Sequence, residues 1–224
     1  MTLFALDALD LAALLCSKVC HDVISPVGAI VNGLEVLEDE KDAEMRNFAL
    51  DLIKKSANTA SAKLQFCRLA FGAAGSAGAM IDTGDAENVT RGLYADDKTK
   101  LQWDGARVLM AKNKVKLLLN LCLIAAAAIP RGGNLHVAIA GRDDAMSMRV
   151  EARGTYARLA SHVRALIDGN PENNAVDAHG IQAFYTGLVA RSAGMDVSVE
   201  TEAEMVALSA RPAAAGATEA AKAS

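Results

Sequence analysis

His21 and Asp22 stand side by side in the segment KVCHDVISPVGAIVNGLEVLEDE, and Pro26 follows five residues after the histidine. An imidazole can act as nucleophile or base near neutral pH. A neighbouring carboxylate fixes its tautomer, so that the other ring nitrogen keeps a free lone pair. The proline removes a backbone N–H and clashes with the carbonyl of Asp22 one turn back, a defect costing roughly 3 kcal/mol in a helix interior. A helix that keeps such a defect beside a His-Asp pair puts the local bend to use. At about 100° per residue the apolar stripe of this helix centres near Val23 and Ile30, with His21 roughly 160° away. His21 is therefore expected to face outward above Ser17, Ser25, Gly28 and Asn32, with Lys18 at the edge. These small or polar neighbours would not block the active site of a docking protein.

The elements that must hold this pair are long helices. From about Asp7 to Glu38, apolar residues at Leu15, Val19, Val23, Val27, Ile30, Leu34 and Leu37 keep the three-and-four spacing of one helix. A charged break, EDEKD, follows, and Asp39 or Asp42 offers an N-cap for a second helix carrying Met45, Ala49, Leu52, Ile53, Ala60, Leu64, Cys67 and Phe71 on its stripe. Two such helices make an antiparallel hairpin that cannot enclose a core alone, which predicts a homodimer built as a four-helix bundle. The small-residue run GAAGSAGA, Gly72 to Ala79, then marks a domain boundary.

Beyond it the pattern changes. Short strands are predicted near Leu101 to Trp103 and Arg107 to Met110, then an apolar helix from Lys114 to Ile129 closed by Pro130 and Gly132-Gly133. Leu135 to Ala140 and Met146 to Ala152 alternate as a β-hairpin. Helices from about Tyr156 to Ile167 and Gly180 to Ala193 follow, and strands Asp196 to Glu200 and Met205 to Ala210 close the domain. Helices on one face of a mixed sheet give an α/β sandwich. The expected division is residues 1–74 for the hairpin, 75–84 for a linker, 85–212 for the sandwich and 213–224 for a low-complexity tail.

Composition narrows the function. A formal net charge of −4 argues against general nucleic-acid binding. No apolar run approaches the ~20 uncharged residues of a bilayer span, and the N-terminus lacks the basic cluster of a signal peptide, so a cytoplasmic protein without a membrane partner is expected. Cys16, Cys20, Cys67 and Cys122 lie in apolar helical patterns without a CxxC pair and read as buried, reduced thiols, with no metal site. His136, His162 and His179 have no acidic partner at useful spacing and read as structural.

His21-Asp22-Val23-Ile24-Ser25-Pro26 resembles the H-box of sensor histidine kinases, His-Asp/Glu-x-x-Ser/Thr/Asn-Pro. The longer run CHDVISPVGAIVNGLEVLEDE is similar to the histidine phosphotransferases of alphaproteobacteria. The resemblance implies an α+β fold in which a dimerising hairpin is followed by a histidine-kinase-ATPase-like α/β sandwich. Its nucleotide boxes fall on departures from the kinase pattern. Asn120 matches the first N-box asparagine, but Ile124 stands where the Mg²⁺ ligand belongs, and an aliphatic side chain offers no oxygen. Ala152 replaces the adenine-reading aspartate, Tyr156 replaces a glycine of the same box, and Gly180-Ile181-Gln182-Ala183 keeps one glycine of the last box, with Gln182 in place of the other. No nucleotide site and no cofactor of its own are expected.

The implied activity is phosphorelay. His21 takes phosphate from the receiver-domain aspartate of a hybrid histidine kinase and passes it to response regulators of the CtrA and CpdR kind, with Mg²⁺ supplied by the partner receiver. Asp22 would orient the ring, Ser25 would offer a hydrogen bond, and Lys18 would attract the phosphate or the receiver. The alternatives are an ATP-dependent kinase with a divergent nucleotide site, and a scaffold that binds receivers without accepting phosphate.

Overall fold

The computed structural model describes residues 3–72, 78–95 and 98–214. Helix α1 spans Ala8–Asp39, and its first turn is capped by the Asp7 carboxylate, which accepts the Leu9 N–H at 2.8 Å. Helix α2 spans Ala43–Ala70 and starts at Asp42, whose side chain accepts the N–H groups of Glu44 and Met45 at 3.0 Å each, so Asp42 is the cap rather than Asp39. The Arg46 guanidinium donates to the Leu37 and Glu40 carbonyls and closes the connection.

The broad apolar stripe expected on α1 divides in two. Its buried line runs through Pro26 and Gly33, facing Ala49, Ser56 and Ala60 of α2, while Val23 and Ile30 are only half-buried. Gly33 is required there: a Cβ would stand 2.6 Å from Ile53 Cγ1, so the helices approach backbone to side chain. The other half of the stripe is uncovered. Ile24, Val27, Val31 and Leu34 on α1, and Met45, Phe48 and Leu52 on α2, expose large apolar side chains, Ile24 at 70% and Phe48 at 65%. By length and composition α1 is also apolar enough to cross a bilayer. Its mid-helix Lys18, His21 and Asp22 are ill placed for that.

After the hairpin come β1 (Met80–Asp82), α3 (Thr83–Leu93), β2 (Thr99–Asp104), β3 (Leu109–Ala111), α4 (Lys112–Ala127), β4 (Gly133–Ala140), β5 (Ser147–Arg153), α5 (Ser161–Ile167), α6 (Ile181–Ser192), β6 (Met195–Glu202) and β7 (Met205–Pro212). Five strands form a mixed sheet ordered β2-β4-β5-β7-β6, in which β2 and β4 are parallel and the other neighbours antiparallel. β1 pairs only with β3 in a separate two-stranded ribbon. α4 lies against the sheet with Val115, Leu118, Leu119 and Cys122 fully buried, and α6 packs beside it.

Two sequence expectations are corrected. Residues 80–84, placed in a linker, form β1 and the first turn of α3, because Asp82 caps that helix by accepting the Gly84 N–H at 2.7 Å. The fifth helix begins at Ser161, not Tyr156, since the preceding segment is pinned to the end of α4 by the Arg158 N–H to Ala128 carbonyl bond of 2.9 Å. Residues 73–77 of the small-residue run and residues 215–224 of the tail lie outside the described residues.

A strap ties the two parts together. The Phe4 N–H donates to the Gly169 carbonyl at 3.0 Å, and the Phe4 ring meets the fully buried Phe184 edge-on, centroids 5.8 Å apart. Nearby, α6 crosses the end of α5 so closely that a Cβ on Gly187 would lie 2.0 Å from the Ile167 carbonyl oxygen. Backbone cannot yield as a rotamer can, so Gly187→Ala is expected to destabilise the protein by about 3 kcal/mol, the upper end of ordinary overpacking. A lowered urea midpoint with unchanged slope checks this.

Candidate functional site

The His21 side chain is 85% exposed, on the outer face of α1 as its helical phase requires. Its Nδ1 lies 3.5 Å from Asp22 Oδ1, a charge contact longer than a hydrogen bond, and Nε2 is the nitrogen remote from the carboxylate. The other Asp22 oxygen, Oδ2, accepts from Lys18 Nζ one turn earlier. Lys18 therefore neutralises Asp22 rather than standing free for a ligand, and its side chain is only 24% exposed. Ser17 and Ser25 are exposed one turn to either side of His21, Gly28 has open space where a Cβ would sit, and Asn32 is exposed about three turns further along the helix.

One residue here escaped the sequence reading. Pro26 has no N–H to give the Asp22 carbonyl, yet that oxygen is not orphaned: Lys63 Nζ, reaching across from α2, donates to it at 2.8 Å. A charge-assisted hydrogen bond of this kind contributes roughly 1.5–3 kcal/mol, comparable to the defect that the proline introduces. The signal was available, because in an antiparallel hairpin turning at residues 40–42, position 63 falls opposite position 22.

Behind this face two clefts lie between the hairpin and the second domain. One, of about 310 Å³, is bordered by Lys18, Asp22, Lys63, Cys67, Tyr94 and Leu123. The other, of about 270 Å³, is bordered by Lys18, Ile124, Ala127, Arg158, Gln182 and Ala183. The kinase-box positions are occupied as follows. Ile124 is buried, and Ala152 is fully buried in β5, between Leu135 of β4 and Val206 of β7. Tyr156, at φ 66°, is exposed with the Arg131 guanidinium 4.3 Å from its ring centre. Gln182 Nε2 donates to Asn120 Oδ1 at 2.5 Å, and the Asn120 amide donates in turn to the carbonyls of Ala70 and Lys116.

The remaining thiols and histidines need two corrections. Cys67 and Cys122 are buried, and burial pushes the Cys67 thiol up and the Cys122 thiol up to about 12, leaving both unreactive. Cys16 and Cys20, expected inside, are exposed because they continue the uncovered half of the α1 stripe. His136 does have an acid partner: Nε2 lies 2.7 Å from Asp104 Oδ2, which the parallel pairing of β2 and β4 brings beside it. Among the described residues no group of three or more His, Cys, Asp or Glu side chains is arranged to hold a metal ion.

A two-helix hairpin presenting an exposed histidine is followed in this chain by a mixed five-stranded sheet covered by helices. The family of histidine phosphotransferase C-terminal domains matches residues 83–205. The protein phosphotransferase ChpT of Brucella abortus (strain 2308) is 51% identical over 205 residues, covering 92% of this chain and 97% of that protein. The solved structure of a bacterial phosphotransferase superposes with a TM-score of 0.85 at 48% identity, over 94% of this chain and 100% of that one. The chain belongs to the histidine phosphotransferase family.

Proposed function

We propose that the protein relays phosphate between receiver domains through His21. The single observation that carries this reading is the exposed imidazole of the H-box, set among small neighbours on a face that a globular partner can reach. The Nε2 lone pair attacks the phosphorus of an aspartyl phosphate, an N–P bond forms as the acyl phosphate P–O bond breaks, and the aspartate leaves as a carboxylate. The proton on Nδ1 stays beside Asp22, whose charge stabilises the cationic ring. The second transfer reverses these steps onto another receiver's aspartate. The Mg²⁺ that neutralises the moving phosphoryl group belongs to the receiver. The donor is the receiver of a hybrid histidine kinase, the acceptors are response regulators of the CtrA and CpdR kind, and the setting is the cytoplasm.

ATP chemistry does not suit the second domain. An aliphatic side chain occupies the place of a metal ligand, and the Gln182 amide fills the place of a phosphate-cradling glycine. The sandwich instead widens the surface on which a receiver rests beside His21. Incubation with a ³²P-labelled receiver transfers label to the protein, whereas labelled ATP with Mg²⁺ leaves it unlabelled. Label from ATP alone would overturn the relay in favour of a kinase, and binding of a labelled receiver without transfer would leave a scaffold.

The uncovered stripe of the hairpin is best closed by a second copy, giving the four-helix bundle. Ile24, Val31, Leu34 and Phe48 all expose large apolar side chains on the hairpin, and large exposed apolar surface marks an interaction site. The double substitution Ile24→Glu, Phe48→Glu is expected to halve the mass in light scattering while leaving the far-ultraviolet dichroism unchanged. A monomeric wild type would exclude the dimer.

A further inference from the structure

We propose that Lys63 is a positioning residue for phosphotransfer, holding the backbone of the His21–Asp22 turn in place of the hydrogen bond that Pro26 deletes. The inference rests on the relay reading above and goes beyond it to a residue on the other helix. Three observations meet at one oxygen. The Asp22 carbonyl lacks its intrahelical donor because residue 26 is proline. α1 nevertheless runs without interruption from Ala8 to Asp39. And Lys63 Nζ donates to that carbonyl at 2.8 Å from a residue 41 positions away.

The same aspartate is held a second time, through its carboxylate, by Lys18. Two lysines from two helices thus fix the residue next to the nucleophile, one by its backbone and one by its side chain. Reactivity at His21 depends on where Nε2 points relative to an incoming phosphorus, and small displacements of a reacting group are costly even when their cause is remote. Lys63 does not touch the imidazole. It acts through the peptide of Asp22, so the bundle's packing sets the aim of the ring.

Lys63 and Pro26 are then energetically inseparable. Restoring an N–H at position 26 gives the Asp22 carbonyl its ordinary helical donor, and Lys63 then becomes dispensable. Four variants decide this: Lys63→Met, which keeps the length of the side chain, Lys63→Arg, Pro26→Ala, and Pro26→Ala with Lys63→Met. Label uptake by His21 from a phosphorylated receiver is expected to fall roughly tenfold in Lys63→Met, from misplacement alone. Lys63→Arg, which retains a donor, is expected to stay near the wild-type rate. In the Pro26→Ala background, adding Lys63→Met is expected to change the rate less than about twofold, a coupling that a general loss of stability would not produce.

The Asp22 carbonyl ¹³C resonance gives a readout independent of transfer. It moves in Lys63→Met and does not move between Pro26→Ala and the double variant. A Lys63→Met rate equal to wild type, or a loss of equal size with and without Pro26, overturns the proposal. If wild type takes no label from any receiver, the relay reading fails, while the carbonyl resonance still decides whether Lys63 holds the freed oxygen. An unmoved resonance in Lys63→Met defeats the proposal in either case.

Discussion

His21→Ala is expected to take no label at all from a phosphorylated receiver under conditions in which wild type is labelled within the assay. The substitution removes the only atom in this face that carries the phosphoryl group in the proposed relay, and nothing adjacent replaces it: Ser17 and Ser25 are alcohols without a base, and Lys18 is paired to Asp22. Because the side chain is 85% exposed, its loss leaves no cavity, and the folded protein is expected to keep wild-type stability within about 0.5 kcal/mol. Inactivity and intact folding are therefore separable in one experiment, by pairing the label assay with urea unfolding. Asp22→Asn is the graded companion. Its carboxylate reaches Nδ1 only at 3.5 Å, so its influence on the imidazole is one of charge, and a loss of about 10²-fold is expected, the lower end for general acid–base partners. Substantial labelling of His21→Ala would place the phosphoryl group elsewhere on the chain.

The largest structural effect is expected at Asn120. The residue matches the first asparagine of the N-box that the sequence resembles, yet its side chain is fully buried and spent on three internal bonds: to the Ala70 carbonyl at 3.1 Å, to the Lys116 carbonyl at 2.7 Å, and from Gln182 Nε2 at 2.5 Å. The first of these joins the last turn of the hairpin to α4, and the third joins α4 to α6. Asn120→Ala leaves the Ala70 carbonyl and the Gln182 amide without their partner, while the Lys116 carbonyl keeps its helical bond, and at about 1–3 kcal/mol for each stranded group the total is near 4 kcal/mol. That is a large share of the roughly 5–15 kcal/mol that holds an ordinary domain together. Urea unfolding at fixed protein concentration measures it, concentration being controlled because any self-association stabilises the folded state. A loss below about 1 kcal/mol would show that the asparagine is an idle remnant of the nucleotide box.

The hairpin was largely legible in the sequence because its two signals are local. Helical phase alone places His21 outward, and the Asp42 cap and the charged EDEKD break locate the turn. What phase could not do was divide the stripe. It reports which residues are apolar, not which are covered by α2, so Val27 and Leu34 share one expected stripe with Val23 and Ile30, while the buried Pro26 and Gly33 fall outside it. Long-range pairings were invisible for a related reason. Lys63 meets Asp22, and His136 meets Asp104, across distances in the chain that no short motif spans. α3 was missed because its buried residues are Thr83, Ala86 and Thr90, too few and too polar to register as a stripe. Lys18 was placed correctly on the helix, but its role changed once the one-turn spacing to Asp22 proved to be an ion pair.

The bond between Phe4 and Gly169, with the Phe4 ring lodged against Phe184, has a mechanical meaning. A catalytic head that carried its own nucleotide to His21 would have to swing toward α1 and back at every turnover. Here the residues just before α1 anchor the head to the stalk like a buckle, and such a swing would have to open it. In the proposed relay, the histidine and the sandwich therefore present a visiting receiver with one fixed notch, and the mobility of the exchange is left to the visitor, which must come and go.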